Sequence, residues 1–438
     1  MSVQEFPKSG SSILVTRALS RDGLTDLFIS GEGIIEAAGM GIGKEYRSVA
    51  EFVLPGDSCI VLPGLVNTHT HAAMSLLRGY ADDMPLDAWL NTRIWPLEAH
   101  LEPSDVYWGT RLACLEMIRT GTTAFNDMYF FMDQAARAVG DAGLRAVLSY
   151  GFIDLFDAGR REKEIRETER FVSGVRKLRN PKVRAAVGPH AVFTVSEESL
   201  SWLAGYAAEE GIPIHVHLSE TEKEVLDAEK TWGMRPPLLL DKCGILTPRT
   251  VAAHCCWLSK EECDLLARRG VHASHNPVSN MKLAVNRAMP YPWLRDAGVN
   301  VALGTDGCAS NNTLDLFREM KAAALLQKFS HNSQTLLPAG EALHMATAAG
   351  ARALGIGNGT LAPGEPADLI LIDRQAICNV PLHTLDSNLV YACSGGSVKT
   401  VICGGRVLML DRFVPGQDEV LKEAAAAAES LVRRSGMS

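Results

Sequence analysis

The chain has 438 residues, 47% of them hydrophobic and 21% charged, which is enough to bury a large core and excludes an intrinsically disordered segment. Its formal net charge of −8, with no block of lysine or arginine, argues against a nucleic-acid or anionic-membrane surface and points to small solutes as partners. No run reaches the roughly 18 uninterrupted apolar residues of a spanning helix, and the first residues lack a basic stretch leading into a long apolar one, so a cytoplasmic protein is expected.

Residues 12 to 60 read as short β segments, "ILVTRAL", "LTDLFISGEGIIEAAG" and "EFVLPGDSCIVLPG", broken by Gly, Pro and Asp turns. The same texture returns in "ADLILIDRQ" and "VKTVICGGRVLML", where Gly404 and Gly405 sit at a hairpin position. The two ends are expected to form a small β-sandwich, with 1–60 and 363–438 contributing its halves. Between them, over 61–362, eight strand-like runs alternate with candidate helices: "LVNTHTH", "TTAFNDM", "RAVLSYGF", "VRAAVGPH", "IPIHVHL", "TVAAHC", "VHASHNP" and "VNVALGTDG". Helices are expected over 196–211, 259–269 and 313–327, opening on Ser or Thr caps. Repeated β-then-α units imply parallel strands, and eight of them fit an α/β fold of the (β/α)8 TIM-barrel type. The Ala-rich end, "DEVLKEAAAAAESLVRRSG", predicts a helix on the outside. Ten cysteines without a C-x-x-C spacing read as reduced thiols.

Chemistry on such a barrel sits where the strands end. Strand one ends in His69 and His71, whose two-residue spacing puts both imidazoles on one face. Strand four ends in His190, five in His217 followed by Glu220, six in His254, seven in His275 and Asn276, and eight in Asp306 between two glycines. A single strand-end histidine is more often a hydrogen-bonded core residue than a ligand, but half of the 12 histidines fall at the same end of successive strands. Five groups, His69, His71, His217, His254 and Asp306, are thus placed to converge on one borderline cation such as Zn2+. His215 shares a face with His217 one layer deeper and reads as packing or as a support for a ligand. Trp89, Trp95 and Trp108 read as core and barrel lid.

The motifs "PGLVNTHTHAAMSLLRG", "WLNTRIWPLE", "TGTTAFNDMYF", "GPHAVFT", "HVHLSET", "AAHCCWLS", "HNPVSNMKLA", "LGTDGCASNNTLDLFREM" and "GTLAPGEPADLILID" run in order over nearly the whole chain. In them the chain resembles the amidohydrolase superfamily, in particular the branch of 5-methylthioadenosine/S-adenosylhomocysteine deaminases and related aminohydrolases. The resemblance implies a single divalent metal held by His69, His71, His217 and Asp306. Zn2+ is the first expectation, and Fe2+, Mn2+ and Co2+ suit the same donors. "GPHAVFT" offers no lysine for a second metal. In such a site Asp306 also accepts a proton from water, Glu220 shuttles protons to a ring nitrogen and the leaving amine, and His254 orients the water. The implied reaction is attack of metal-activated hydroxide at C6 of an adenosine-type nucleoside, giving the inosine analogue and ammonia. Glu98 matches a residue that accepts from ribose hydroxyls, and His190 one that touches the nucleoside.

Three departures concern the 5′-substituent. Tyr150 stands where relatives that bind a homocysteine carboxylate often carry Arg, leaving Arg160 or Arg161 to supply a guanidinium clamp. Val192 and Phe193 stand where Pro-Tyr is usual, and "KLAVNRAMPYPWL" replaces a glycine-bearing loop. Methylthioadenosine, 5′-deoxyadenosine or adenosine are therefore expected ahead of S-adenosylhomocysteine. The competing readings are a relative acting on guanine, cytosine or a chloro-triazine, and a catalytically inactive binding barrel. Whether the chain forms a homo-oligomer is left open.

Overall fold

In the computed structural model, which describes residues 6–437, all eight expected barrel segments are strands. They are β1 (Leu65–Thr70), β2 (Thr122–Tyr129), β3 (Arg145–Phe152), β4 (Val183–Pro189), β5 (Ile214–Leu218), β6 (Thr250–His254), β7 (His272–His275) and β8 (Asn300–Leu303). Each pairs in parallel with its sequence neighbour, and β1 and β8 stand at the two ends of the pairing order. The seam between them is bridged by Thr68 Oγ1 donating to Leu303 O at 2.9 Å and by the backbone N–H groups of Thr305 and Asp306 donating to His69 O, both at 3.0 Å. Strands covered on both faces must be apolar or internally satisfied along their whole length; in β2 every residue is buried.

Helices follow the strands and cover them. Glu197–Glu210 is capped by Ser196, whose side chain accepts from Ser199 N, and ends on Gly211. Lys260–Arg269 opens on a full capping box between Ser259 and Glu262. The helix expected from residue 313 instead runs Leu316–Ser330 and is capped by Asp315, whose carboxylate accepts from Phe317 N at 3.0 Å. Residues 307–312 are taken up in a turn beside the site, where Asn311 Nδ2 donates to Thr305 O and Glu319 Oε1, both at 2.6 Å.

Both chain ends build one eight-stranded mixed sheet with its own apolar cluster, including Ile13, Ile29, Val61, Leu369 and Ile402. They meet where Cys59–Pro63 runs antiparallel to Leu369–Asp373, Leu62 facing Ile370. The hairpin joining Val398–Cys403 to Arg406–Met409 turns on Gly404 and Gly405 (φ +56° and +72°), the left-handed pair that a two-residue loop needs. The terminal helix Gln417–Ser435 lies along Pro103–Thr120 on the barrel's outside, burying Val420, Ala424 and Leu431, with Arg434 paired to Asp105. All ten cysteines are free thiols. Among the described residues no helix is long and apolar enough to cross a membrane.

Candidate metal centre and cavity

His69 lies in β1, His71 follows it, His217 lies in β5, His254 closes β6, and Asp306 comes just after β8. The structure brings all five together. His69 Nε2 and His71 Nε2 lie 3.4 and 3.3 Å from Asp306 Oδ1, and His217 Nε2 lies 3.3 Å from His71 Nε2. Ligand atoms of His69, His71 and His217 fall within 4.8 Å of one another, as do those of His69, His254 and Asp306. The two groups share His69, so they describe one centre.

The approach depends on small residues. A Cβ on Gly304 would stand 2.4 Å from Asn276 Oδ1 and 2.8 Å from His69 Cβ, and one on Gly307 would stand 2.7 Å from Met74 Sδ. Asp306 between them, and Ser219, His254 and Cys255 at neighbouring strand ends, hold left-handed backbone (φ +63°, +48°, +71° and +52°). Such conformations cost on the order of 1–3 kcal/mol each for residues with a Cβ and persist where the surroundings force them. Here glycine is no substitute at 254 and 306, because the side chain is what the turn aims inward.

The hydrogen bonds fix which ring nitrogen faces the centre. His71 Nδ1 donates to Met128 O at 2.6 Å and His217 Nδ1 to His190 O at 2.7 Å; a carbonyl only accepts, so in each ring Nε2 is the nitrogen left to face the other. Two lone pairs facing each other at 3.3 Å repel unless a positive charge lies between them. His69 Nδ1 sits 2.8 Å from His215 Nε2, while its own buried Nε2 has no hydrogen-bond partner. Separations of 3.3–3.4 Å are the edge lengths of a tetrahedron of ligands about 2.0–2.1 Å from a central ion. The orphaned Nε2 and the donor set therefore fit a divalent metal.

Burial and neighbouring charge set the protonation states. Burial first, and then the surrounding imidazoles, hold His217 well below its ordinary value; burial lowers His69 and His254 to about 4 and His190 to about 3. For Asp306 burial pushes upward, but His69, His71 and His254 outweigh it and keep the carboxyl well below the usual range. Neutral rings and an ionised carboxylate are the forms a cation requires. Glu220 is the opposite case: burial, reinforced by the charge of Asp306, raises it to about 8, so it carries a proton at neutral pH. Its Oε1 lies 3.7 Å from His254 Nδ1.

The centre opens into a cavity of about 370 Å³ whose walls include Trp89, Trp95, Phe130, Phe193 and Leu283. Trp89 and Trp95 thus line the cavity, whereas Trp108 packs edge-on against Tyr107 on Pro103–Thr120. Glu98 and His190 are also on the wall. Tyr129 OH donates to Glu98 Oε1 at 2.6 Å, yet burial dominates and raises Glu98 to about 7. His190 Nδ1 pairs with Thr194 Oγ1 at 2.9 Å, and Phe193 stands edge-on to its ring.

Arg160 is the expected site residue that the structure does not bring in. Asp157 caps Ala158–Leu178 by accepting from Arg160 N at 2.8 Å, and the side chain that follows is exposed and outside the cavity. Arg161 instead reaches Glu198 at 3.8 Å. Tyr150 also faces away, its hydroxyl bonded to Glu164 on the same helix, while the adjacent Gly151 lines the cavity.

Several supports escaped the sequence reading. Asn280 Nδ2 and Asn276 Nδ2 lie 2.9 and 3.3 Å from His254 Nδ1, which leaves that ring's proton on Nε2. Ser279 and Ser310 hydroxyls donate to Asp306 Oδ2 at 2.6 and 3.1 Å. Glu224 accepts from the backbone N–H groups of Ser219 and Glu220 at 2.9 and 2.8 Å, which sets the turn that carries Glu220. The short helix Pro277–Lys282 right after "HN" was the available signal for Ser279 and Asn280, since its first turn must face the strand ends.

The amidohydrolase family model matches residues 60–408. A 5′-deoxyadenosine deaminase of Methanoregula boonei is 61% identical over 427 residues, covering 98% of this chain and 97% of that protein. A 5-methylthioadenosine/S-adenosylhomocysteine deaminase 1 of Archaeoglobus fulgidus is 46% identical over 411 residues, covering 94% and 95%. Among solved structures, an adenosine deaminase from Xanthomonas campestris with bound zinc aligns with a TM-score of 0.91 at 34% identity, covering 98% of this chain and all 100% of that one.

Proposed function

The chain belongs to the amidohydrolase family, and from that premise we propose that it is a hydrolytic deaminase of adenosine nucleosides, holding one Zn2+ at His69, His71, His217 and Asp306. The observation that carries the reading is the position of Glu220: a half-buried carboxyl whose surroundings favour its protonated form, on the wall of the cavity into which the imidazole cluster opens. Deamination of a purine needs such a proton donor next to the nucleophile, because the ring nitrogen must be protonated as C6 is attacked.

A divalent cation bound there supplies the positive charge that makes a nearby water acidic enough to ionise close to neutral pH. Asp306, ionised and held by Ser279 and Ser310 through Oδ2, takes the proton that water loses. His254, with its Nδ1 occupied by Asn280 and Asn276, offers its Nε2 proton to the water oxygen and fixes its line of attack. Glu220 gives its proton to N1 of the purine as the oxygen adds to C6. The proton gathered by Asp306 then passes to the exocyclic nitrogen; as the C6–N bond breaks and ammonia leaves, the hydroxyl on C6 becomes the carbonyl of the inosine analogue and returns its proton to Glu220. Glu98, with Oε1 taken by Tyr129, has Oε2 left to accept from a ribose hydroxyl, and His190 positions the sugar beside it.

The cavity also bears on the 5′ end. Among the described residues its wall carries no arginine, and its one lysine, Lys223, is paired with Asp227 at 2.7 Å. Phe130, Ile153 and Phe193 offer apolar contact instead. An uncharged 5′ end is therefore preferred to a homocysteine carboxylate, which also agrees with a relative at 61% identity named 5′-deoxyadenosine deaminase. Assaying ammonia release from adenosine analogues that differ only at C5′ tests this. The expected order places 5′-deoxyadenosine and methylthioadenosine about tenfold or more above S-adenosylhomocysteine in kcat/KM, roughly 1.4 kcal/mol of transition-state binding. A preference for S-adenosylhomocysteine contradicts the 5′ assignment, and a preference for free guanine or cytosine contradicts the nucleoside assignment.

A further inference from the structure

A second cavity, of about 490 Å³, lies where the barrel strands begin and shares no lining residue with the first. Its wall carries five arginines, Arg176, Arg179, Arg184, Arg249 and Arg352. In a chain with a net charge of −8 this is a local reversal of sign. Arg176 pairs with Glu210. Among the described residues Arg184 meets no carboxylate: it donates to the carbonyl oxygens of Leu354 and Gly355 at the end of Ala348–Leu354. Burial and the nearby Arg145 hold the Arg184 guanidinium below the ordinary arginine value, so its surroundings disfavour the charge they enclose. Arg179, Arg249 and Arg352 form no ion pair among the described residues and are exposed at the rim. Most of the remaining wall is apolar, including Val175, Val183, Ile212, Pro248 and Leu354.

Like charges around one concavity repel each other and focus a positive field into it. The N-terminal face of a barrel ordinarily serves stability, which four guanidinium groups without acids oppose. A guanidinium fork matches phosphate oxygens in paired hydrogen bonds, and a largely apolar stretch of wall suits a ring or sugar face. The volume falls within the range of roughly 300–1,000 Å³ of small-molecule sites. We propose that this cavity binds a small phosphate ester with an apolar body, of the nucleoside monophosphate class, at a site separate from the deamination centre.

Calorimetric titration of the full-length, metal-loaded protein tests the proposal, with UMP, uridine and inorganic phosphate as probes. UMP is chosen because its base has no adenine amine to engage the first cavity. The companion variant replaces Arg249 and Arg352 with Ala; both are exposed and outside the deamination cavity, so its thermal midpoint and deaminase rate should match the wild type. UMP is expected to bind the wild type, to weaken with rising salt, and to weaken by about tenfold or more in the variant, since the two guanidinium groups removed take their charged hydrogen bonds to phosphate with them. Inorganic phosphate should bind more weakly than UMP, and uridine should give no heat. The proposal is overturned if UMP gives no heat, if the variant binds it as tightly as the wild type, if uridine matches it, or if inorganic phosphate binds as tightly as UMP.

Discussion

Glu220→Gln is expected to lower kcat by about 10²- to 10⁴-fold, the range that a positioned proton donor contributes, with the metal retained. Glutamine keeps the shape and can still hydrogen-bond a ring nitrogen, so substrate affinity should change little; what it lacks is a transferable proton. The backbone at 220 is held independently by Glu224, so the turn stays in place in the variant and metal content is the check. The pH profile gives a second reading of the same group. The acid must be protonated to act, and its raised value of about 8 means that the protonated form is present at neutral pH and is lost as pH rises through that value. A cation in the site would pull this value down, so the alkaline limb of kcat should fall at or below about pH 8 and flatten in Glu220→Gln. A variant with intact metal and less than about threefold loss of turnover removes Glu220 from proton transfer.

His217→Ala is expected to lose bound metal and to lower kcat/KM by about 10³-fold or more. Metal-supplied charge stabilisation is worth several kcal/mol, and each 1.4 kcal/mol or so is a factor of ten. His215 provides the contrast within the same strand. Its ring touches His69 Nδ1 at 2.8 Å rather than facing the cluster, so His215→Phe should weaken metal affinity by about 10- to 100-fold while full activity returns at saturating metal. Metal titration of activity separates the two. If His217→Ala binds metal as tightly as the wild type, the ligand assignment is wrong.

Where the sequence was legible, the reason is periodicity. Strands covered on both faces leave unbroken apolar runs, and their last residues mark the active end, so His69, His71, His217, His254 and Asp306 stood out together. Capping chemistry located the starts of Glu197–Glu210 and Lys260–Arg269 for the same reason: a Ser followed by an acid satisfies free backbone donors locally. The failures are spatial. Arg160 looked close to the site in sequence, but the Asp157 cap starts a helix there and the first turn faces solvent. Thr313 looked like a cap, but the chain needs residues 307–312 to wrap past Asp306 before a helix can begin. Tyr129 on Glu98 depends on which elements lie opposite, and nothing in its local pattern distinguishes it from an ordinary core residue.

The central claim is that imidazoles from β1 and β5 and the carboxylate after β8 surround a divalent cation. Diffraction from crystals of the protein at the zinc absorption edge, with metal stoichiometry from the same sample, tests it most directly. One anomalous peak per chain, about 2.0–2.2 Å from Nε2 of His69, His71 and His217 and from a carboxylate oxygen of Asp306, is the predicted result. A protein that remains metal-free after incubation with Zn2+, or a peak elsewhere with these four side chains unliganded, would contradict it.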